Sequence, residues 1–588
     1  MTTDQNYQQI YRVGGMLDAG FVGQITYTIS LDQVYDELDI HFSFDKRLYS
    51  ESDVTPELID RLQTLCTAKY DAPTYPVEEF RQTILHEMKT EIHTMAELND
   101  NFIGCIHRQL TDRHMLYTKE FTSDGCLAQD TFSGVLKVTV LVFNVLLDNT
   151  QYTLTVSGHP VGQGVIAPNF NLMDTVKTAA GNAGASNAAG SADNSCDAES
   201  APASAVATAG SSGVSGAGSA ATAGDSSTTG SSSAGNTVTA STRFKRLELH
   251  NHTVESDGSL TCQELTEYLA ADHVDAFAIT DHNTTSGQKT IEQLLEEKHY
   301  PISLIRGMEY TTYFGHILCL NLSKYVPWNS IDQHRPELLF EAAREKGALV
   351  GIAHPFSYGD PFARGCRFEM TISDYSKVDF IEIFNNPEPL HEVNERGTNL
   401  WMSLIFSGYQ ITATSGMDLH NRAKLAGCYA TYIEGKNGGN IASELDTAIH
   451  THSTWVSKGA LLLTEVLPET NELLLTFTDA HKPGFSVPKT AQVVLKGKDK
   501  TFTTSVSLDK PVCVSLNQLS GTDPIIPLLY EAPGINGAAT VSNSAHVAAL
   551  TSCGSAADTS SAAGQLKEID ALPAIEGLLC VSPVLYRD

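Results

Sequence analysis

Histidines and carboxylates recur at short spacings in the middle of the chain. His250 and His252 are separated by one residue, and so are Asp418 and His420. In an extended segment residues i and i+2 point to the same side, so each pair can present two ligands to one cluster. Five more residues of these types lie between the two pairs: Asp257, His282, Glu309, His316 and His354.

These nine side chains predict a metal centre with more than one ion. Imidazoles and carboxylates together suit zinc, manganese or iron better than calcium or magnesium alone. A tetrahedral ion needs only four ligands, so nine candidates fit two or three divalent ions that share a bridging carboxylate. A single pair of histidines is weak evidence of a metal site. The prediction depends on five such elements that occur in order, each after an apolar strand.

The elements that must position these residues alternate between strand and helix. Phe244–His250 and Val274–Thr280 have the short apolar pattern of buried strands, and Cys262–His273 between them has a helical pattern. Glu309 is expected to follow a third strand, Ile302–Arg306. Such alternation predicts an α/β fold with mainly parallel strands, in a barrel or an open sheet. In barrel folds, ligand-type residues at the carboxyl ends of successive strands converge on one face, where the active sites lie.

Five motifs in this region resemble, in order, those of the polymerase-and-histidinol-phosphatase (PHP) superfamily: HNHTVESDG, ITDHN, GMEY with GHI, AHP, and SGMDLH. The resemblance covers roughly residues 244–433. It implies a distorted (β/α)7 barrel that binds up to three metal ions. By this resemblance a first ion is held by His250, His252, Glu309 and Asp418. Glu309 would bridge to a second ion with His316 and His354, and a third ion would be held by Asp257, His282 and His420.

Many relatives have a histidine where this chain has Asp257. The aspartate variant resembles the branch that contains nucleoside-monophosphate phosphatases, small exonucleases and carbaryl-hydrolase-like metallohydrolases. The strand-rich segment ITYTISLDQVYDELDIHFSFDKR and the C-terminal segment Val581–Tyr586 resemble segments of the carbaryl-hydrolase-like members. The resemblance leaves the third ion and the substrate unidentified.

Composition divides the chain into four parts. Residues 1–174 are a predicted β-rich α+β domain, sandwich-like with a helical insertion, in which no cluster of residues predicts chemistry. Residues 175–242 are almost all Ala, Gly, Ser, Thr, Asn and Asp, which lack the apolar surface that folding needs and predict a flexible linker. Residues 243–435 are the predicted metallohydrolase barrel. Residues 436–588 are a predicted β-rich extension, interrupted by a low-complexity loop at 538–564.

The chain of 588 residues has 69 acidic and 38 basic side chains and a net charge of −31. This charge argues against a protein that holds long nucleic acid by its phosphates. Eleven cysteines without a CxxC pair predict neither a disulfide framework nor a zinc ribbon. No signal peptide is visible, and the longest apolar stretch, Val135–Leu147, is shorter than the roughly 20 residues of a membrane span. We therefore expect a cytoplasmic protein, of open oligomeric state.

The predicted ions indicate hydrolysis. A hydroxide that bridges two divalent ions is a nucleophile at neutral pH, because metal binding can lower the pKa of water to about 7. The first hypothesis is a metal-dependent phosphoesterase for a small phosphorylated substrate, either a nucleotide or a short oligonucleotide end. The alternatives are a metallohydrolase of carboxylic esters, carbamates or amides, and a non-catalytic, metal-stabilised protein that binds a ligand or partner.

Three further residues are candidates for supporting roles. Asp281 is expected to orient His282 or a neighbouring histidine through its second ring nitrogen, or else to cap a helix. Asn385 at the end of a strand and Arg422 near the ligand-bearing end of the barrel are candidate substrate contacts. A turn residue and a solvated surface charge are the simpler interpretations of these two.

Overall fold

The structure, a computed structural model, describes residues 7–161, 244–532, 567–568 and 575–586, apart from residues 47, 71–75, 109, 147–148, 330, 333, 386–391, 437, 520 and 522. The predicted linker at 175–242 and the predicted loop at 538–564 lie outside the described residues. The fold is mixed α/β, with several sheets and few helices. None of the helices described is both long enough and apolar enough to cross a membrane.

The N-terminal region consists of seven strands and two helices. These are β1 (Gln8–Leu17), β2 (Gly23–Phe44), α1 (Pro56–Tyr70), α2 (Val77–Glu87), β3 (Glu91–Leu98), β4 (Asn101–Ile106), β5 (Asp112–Tyr117), β6 (Phe132–Asn144) and β7 (Thr150–Pro160). The strands form one antiparallel sheet in the order β1-β7-β2-β6-β3-β4, with β5 paired to β2. The long strand β2 pairs with β6 up to Leu31 and with β7 and β5 beyond Tyr35, where its register shifts.

Strand β6 is apolar on both faces because it packs against two different cores. Val138 and Val140 are buried in the core of the N-terminal sheet. Leu141 and Phe143 belong instead to a larger core that includes Tyr310 of the middle region. The longest apolar stretch of the sequence therefore contains a strand that joins the N-terminal sheet to the rest of the protein.

The middle region contributes eight strands and five helices. These are β8 (Phe244–Glu248), α3 (Cys262–Ala271), β9 (Ala276–Ile279), α4 (Ser286–Lys298), β10 (Ser303–Thr312), β11 (Gly315–Leu320), α5 (Glu337–Arg344), β12 (Leu349–Ile352), β13 (Phe380–Asn385), α6 (Glu392–Phe406), β14 (Thr412–Gly416), β15 (Ala430–Glu434) and α7 (Ile441–His450). Helix α3 begins at a capping box, in which Thr261 and Glu264 exchange hydrogen bonds with each other's backbone.

Most pairs in the middle region are parallel, as expected. Strands β8, β9 and β10 pair in parallel, and so do β12, β13 and β14. Strands β11 and β15 are the exceptions, because β11 runs antiparallel to both β10 and β12 and β15 runs antiparallel to β8. Strand β10, the predicted strand before Glu309, extends to Thr312. The hydroxyl of Thr312 donates to the carbonyl of Gly315 at 2.8 Å and stabilises the tight hairpin between β10 and β11. Glu309 therefore lies within a strand and not after one.

The carboxyl ends of the first and last parallel strands meet. The backbone N–H of His252 donates to the carbonyl of Leu419 at 3.0 Å, and the N–H of Leu419 donates to the carbonyl of His250 at 3.1 Å. These bonds join the extensions of β8 and β14, although the two strands are far apart in the sheet order β14-β13-β12-β11-β10-β9-β8.

The C-terminal region is β-rich. Its strands are β16 (Trp455–Ser457), β17 (Ala460–Leu467), β18 (Glu472–Asp479), β19 (Thr490–Lys496), β20 (Thr501–Ser507), β21 (Val512–Ser515), β22 (Ile526–Glu531), β23 (Lys567–Glu568) and β24 (Leu578–Val581). Six of them continue the sheet of the middle region beyond β8 in the order β15-β16-β24-β22-β19-β20-β23, and β17, β18 and β21 form a separate sheet.

Replacement of Leu141 by Ala should destabilise the protein strongly, because this side chain is 0% exposed in the core that joins the two regions. We expect a loss of about 2–5 kcal/mol in the free energy of unfolding, measured by denaturant titration. Leu65→Ala on α1 is the matched control, since Leu65 is 42% exposed and should lose roughly 0.5 kcal/mol or less. Equal losses in the two variants would contradict the role of β6 as a joining strand.

Candidate metal centre

The carboxylate of Glu309 lies at the centre of the site and is 0% exposed. Its two oxygens lie 2.8 to 3.3 Å from ring nitrogens of five histidines. Oε1 faces His316 and His354, and Oε2 faces His250, His252 and His282. One buried carboxylate is thus surrounded by five imidazoles, which is the arrangement expected of a bridging ligand.

The ends of successive strands deliver these imidazoles. His250 and His252 follow β8, His282 follows β9 and His354 follows β12. His316 arrives differently, because the β10–β11 hairpin places it opposite Thr311, two residues from Glu309. The antiparallel hairpin therefore brings His316 to the same carboxylate that the ends of the parallel strands reach.

The remaining predicted ligands complete the cluster. Oδ1 of Asp418 is 2.9 Å from Nε2 of His252. Oδ1 of Asp257 is 3.2 Å from Nε2 of His420 and 3.5 Å from Nε2 of His282. With the five histidines around Glu309, the structure brings together all nine side chains that the sequence predicts as metal ligands.

The donor set fits divalent cations. Several buried atoms of the site have no hydrogen-bond partner among the described residues, including Nε2 of His250, Oδ1 of Asp257, Oε2 of Glu309 and Nε2 of His316. A buried polar atom without a partner costs about 1–3 kcal/mol, so proteins seldom leave one unless an ion or water binds it. Three of the five described groups with ligand atoms within 4.8 Å of one another belong to this site: His250 with His252, Glu309 and Asp418; His282 with Glu309 and His316; and His252 with Asp257, His282 and His420. A fourth group consists of Glu91, His93 and His107.

Two of the ligand positions have an unusual backbone. His354 has φ of 24° and Asp418 has φ of 49°. Side chains other than glycine rarely adopt this left-handed region, because the Cβ atom approaches the backbone. Such strain persists where the surrounding structure imposes it, and it clusters at functional sites.

Charge pairing controls protonation in the cluster. Burial alone would raise the pKa of Glu309, but the imidazoles of His250 and His316 hold it well below its usual range. Burial alone would lower the pKa of His420, but Asp257 raises it to about 10. The carboxylates of Asp257, Glu309 and Asp418 are therefore ionised, which is the form that binds a metal ion, and an ion bound at the site would replace the proton of His420.

Glu382 supports the site, although the sequence analysis did not identify it. Its Oε1 is 3.1 Å from Nδ1 of His250, and its Oε2 accepts the backbone N–H of His354 at 3.0 Å. Contact through Nδ1 leaves Nε2 of His250 facing Glu309, and partners of this kind fix the ring orientation of a metal ligand. The available signal was a lone carboxylate within the apolar strand Phe380–Phe384.

Asn385 contributes to the same support and does not line an open surface. Its side-chain amide donates to Oε2 of Glu382 at 3.0 Å, and the residue is 5% exposed. The expected substrate contact is thus replaced by a structural one. Gly416 allows its own backbone to lie close to His250 and Glu382. A Cβ at this position would lie 2.5 Å from Cβ of His250 and 2.6 Å from Oε1 of Glu382.

Asp281 anchors a loop and does not orient a histidine. Its carboxylate accepts hydrogen bonds from the backbone and hydroxyl of Thr253 at 2.7 and 2.8 Å, and from the hydroxyl of Ser256 at 2.6 Å. It does not cap α4 either, because that helix begins at Ser286. The residue therefore fixes the turn between the ligands His252 and Asp257.

Arg422 lies outside the cluster of ligands. It is exposed, and its guanidinium is 5.6 Å from the centre of the Tyr268 ring on the surface of α3. Packing on this ring directs the side chain towards the helix. The simpler interpretation of Arg422, a solvated surface charge, agrees with this position.

The N-terminal sheet reaches the site, contrary to the expectation that it holds no cluster with chemistry. Nε2 of His107 is 3.4 Å from Oδ2 of Asp257, and its ring stacks on His282 with centroids 4.1 Å apart. His93 lies behind His107, with ring centroids 4.0 Å apart, and its Nε2 is 3.2 Å from Oε1 of Glu91. Each is a single histidine in or beside a strand, so the sequence carried no local signal for this contact.

Burial lowers the pKa of His107 to about 4, with a further contribution from His93. The imidazole of His107 is therefore neutral at physiological pH.

Comparison with known proteins gives partial matches. Residues 7–160 match a family model described as a family of unknown function (DUF6669). A 5′-3′ exoribonuclease of Haemophilus influenzae is 36% identical over 141 residues, which are 23% of this chain and 50% of that protein. The 5′-3′ exoribonuclease Rnm of Salmonella typhimurium is 34% identical over 79 residues, 13% of this chain and 27% of that protein. The chain thus spans half or less of the length of these curated relatives.

One solved structure with partial similarity is a two-domain protein from Bacteroides vulgatus that contains a predicted PHP-like metal-dependent phosphoesterase. It is 15% identical, and the alignment covers 49% of this chain and 91% of that one with a TM-score of 0.30.

Replacement of Glu382 by Ala should weaken metal binding without removing a ligand. His250 would lose the partner of its Nδ1, and loss of such a partner typically weakens metal affinity about 10–100-fold. Zinc affinity measured by competition with a chelator checks this expectation. Glu465→Ala is the control, since Glu465 is exposed on β17. Unchanged affinity in Glu382→Ala would show that the contact with His250 does not matter for binding.

Proposed function

We propose that this protein is a metal-dependent phosphoester hydrolase. The observation that carries the proposal is the buried Glu309 carboxylate facing five imidazoles, beside ligand atoms that have no hydrogen-bond partner among the described residues. In this proposal His250, His252, Glu309 and Asp418 hold one ion. Glu309 with His316 and His354 holds a second, and Asp257, His282 and His420 hold a third.

The curated relatives support a phosphoester as the substrate, since both are 5′-3′ exoribonucleases. We extend this to a nucleotide or the end of a short oligonucleotide. Long nucleic acid fits poorly, because the net charge of −31 repels polyphosphate. The closer relation to carbaryl-hydrolase-like enzymes stays a prediction from the sequence motifs.

We also propose that strands β8 to β14 form the distorted barrel of the PHP superfamily. The support is the pair of hydrogen bonds that joins Leu419, after β14, to His250 and His252, after β8. A closed arrangement of this kind would direct the loops after several strands to one face, where barrel enzymes carry their active sites.

When bound, divalent ions at this site would lower the pKa of water and neutralise charge on phosphate oxygens. The protein's own residues position the ligands and admit the substrate. The side chains of Asp418, Asp257 and His420 are 22%, 24% and 32% exposed, whereas that of Glu309 is 0% exposed. The substrate would therefore enter on the side of Asp257, Asp418 and His420. Glu382 and Asp281 would keep His250 and the Thr253–Ser256 turn in place from the buried side.

We also propose Lys89 as a cation that contacts the phosphate group. In an extended segment it shares one face with Glu91 and His93. Burial and the positive charges of Arg113, His282 and Lys89 lower the pKa of His93. Burial and the charges of Glu91, Glu309 and Asp418 raise the pKa of Cys366, while Lys89 opposes them. The charge of Lys89 thus acts on His93 and Cys366, and Lys89 makes no ion pair with another described residue.

Phosphate release tests the proposed activity. Protein loaded with manganese or zinc would be given nucleotides, sugar phosphates and short oligonucleotides. We expect release by the wild-type protein and a loss of at least about 100-fold in His252→Ala, because the variant lacks a ligand of the first ion. His450→Ala should keep full activity, since this side chain is 58% exposed on α7.

Metal content measured on the same samples separates the alternatives. Absence of release from protein that holds its ions would contradict the phosphoesterase proposal. Carboxylic esters, carbamates and amides would then be tested as substrates. Absence of turnover on every substrate class would favour the non-catalytic alternative.

Replacement of Lys89 by Gln should weaken substrate binding and leave the metal content unchanged. A hydrogen bond to a charged group is worth about 1.5–3 kcal/mol, so we expect KM to rise roughly 10–100-fold with a smaller change in kcat. Lys137→Gln in the same sheet is the control, because Lys137 pairs with Asp100 at the surface. A fall in kcat with unchanged KM would contradict a role for Lys89 in binding phosphate.

A further inference from the structure

We propose that His107, a residue of the N-terminal sheet, is a fourth ligand of the ion held by Asp257, His282 and His420. This inference rests on the proposed function, because it adds a ligand to one of the proposed ions. The metal centre would then be formed by residues of both the N-terminal sheet and the middle region, which are separated along the chain by residues 162–243. The family motifs of the middle region supply Asp257, His282 and His420, with His252 beside them.

The spacing of the ligand atoms supports this assignment. Oδ1 of Asp257 is 3.2 Å from Nε2 of His420 and 3.5 Å from Nε2 of His282, and Oδ2 of Asp257 is 3.4 Å from Nε2 of His107. Ligands at about 2.0–2.1 Å from a tetrahedral ion are separated by about 3.4 Å. His107 thus approaches the other oxygen of Asp257, Oδ2, at a distance comparable to those of the two histidines on Oδ1.

The orientation of His107 is fixed from the N-terminal sheet. His107 is 5% exposed and directly follows β4. The pairing of Thr94 with Ile106, continued by one residue, places His93 opposite His107. The rings of His93 and His282 flank His107 at centroid distances of 4.0 and 4.1 Å. These contacts point Nε2 at Asp257.

Hydrogen bonds hold the two regions together beside this contact. The backbone N–H of Gly125 donates to Oε2 of Glu255 at 2.8 Å, and its carbonyl accepts from the hydroxyl of Thr284 at 2.9 Å and from the N–H of Cys105 at 3.0 Å. Glu255 is two residues from Asp257, and Thr284 is two residues from His282. The strand that leads to His107 is thereby fixed against both loops that carry its neighbours.

Gly125 is needed for this approach. It has φ of 79°, and a Cβ at this position would lie 2.4 Å from the carbonyl oxygen of Cys105 and 2.9 Å from that of Glu255. A position of this kind favours glycine. The close contact between the two regions therefore depends on the backbone at Gly125. An ion with ligands from both regions needs such a close contact.

Metal counting on the full chain tests the inference. We expect the wild-type protein to bind three ions after dialysis against limiting chelator, and His107→Phe to bind two. Phenylalanine keeps an aromatic ring against His282 but has no ligand atom. The third ion should be weakened by at least about tenfold, because even outer-shell partners contribute that much. His107→Glu should restore the third ion, since a carboxylate can ligate it. His450→Phe, at an exposed position on α7, is the control.

Cobalt substitution adds a readout that packing alone would not change. In His107→Glu the absorption bands of cobalt at the third position should shift, because one nitrogen ligand becomes an oxygen. This variant also decides the question if His107→Phe fails to fold. Unchanged cobalt bands in His107→Glu, or three ions bound with wild-type affinity in a folded His107→Phe, would overturn the inference and leave the proposed function intact. Failure of the wild-type protein to bind any ion would overturn both.

Discussion

Burial of the Glu309 carboxylate is the constraint on which the rest of the structure depends. A buried charge is stable only when it is paired and hydrogen-bonded, and here five imidazoles provide the pairing. The imidazoles come from different strand ends, so strand lengths and register must agree for the site to form. Glu382 and Asp281 then fix His250 and the turn before Asp257. The architecture of the middle region therefore follows from the need to surround one carboxylate.

The N-terminal sheet takes part in the same arrangement. Strand β6 packs Leu141 and Phe143 into the core of the middle region, and Gly125 is hydrogen-bonded to Glu255 in the loop of the ligand Asp257. Apolar packing attaches the sheet to the middle region, and polar contacts join it to the loops that carry the ligands. The N-terminal sheet is thus placed to act on the site as well as to stabilise the fold.

Ligand residues that recur in local patterns could be predicted from the sequence. The pairs around His250 and Asp418 follow apolar strands, and strand ends converge in an α/β fold, so the nine side chains could be grouped in advance. The β10–β11 hairpin was not predicted, because the turn at Thr312 depends on a side-chain hydrogen bond. Glu382 and His107 were missed for a different reason. Each is a single polar residue in or beside an apolar strand, and only tertiary packing brings it to residues more than 100 positions away.

The packing of β6 against two different cores has a consequence for experiments on fragments of the protein. Residues 244–586 produced alone would expose to water the surface of the middle region that Leu141 and Phe143 cover, including the neighbourhood of Tyr310. Large exposed apolar patches promote self-association. Aggregation of such a fragment would therefore precede any observation about its chemistry. An inactive fragment would report on solubility and could not be taken as proof that the N-terminal sheet has a catalytic role.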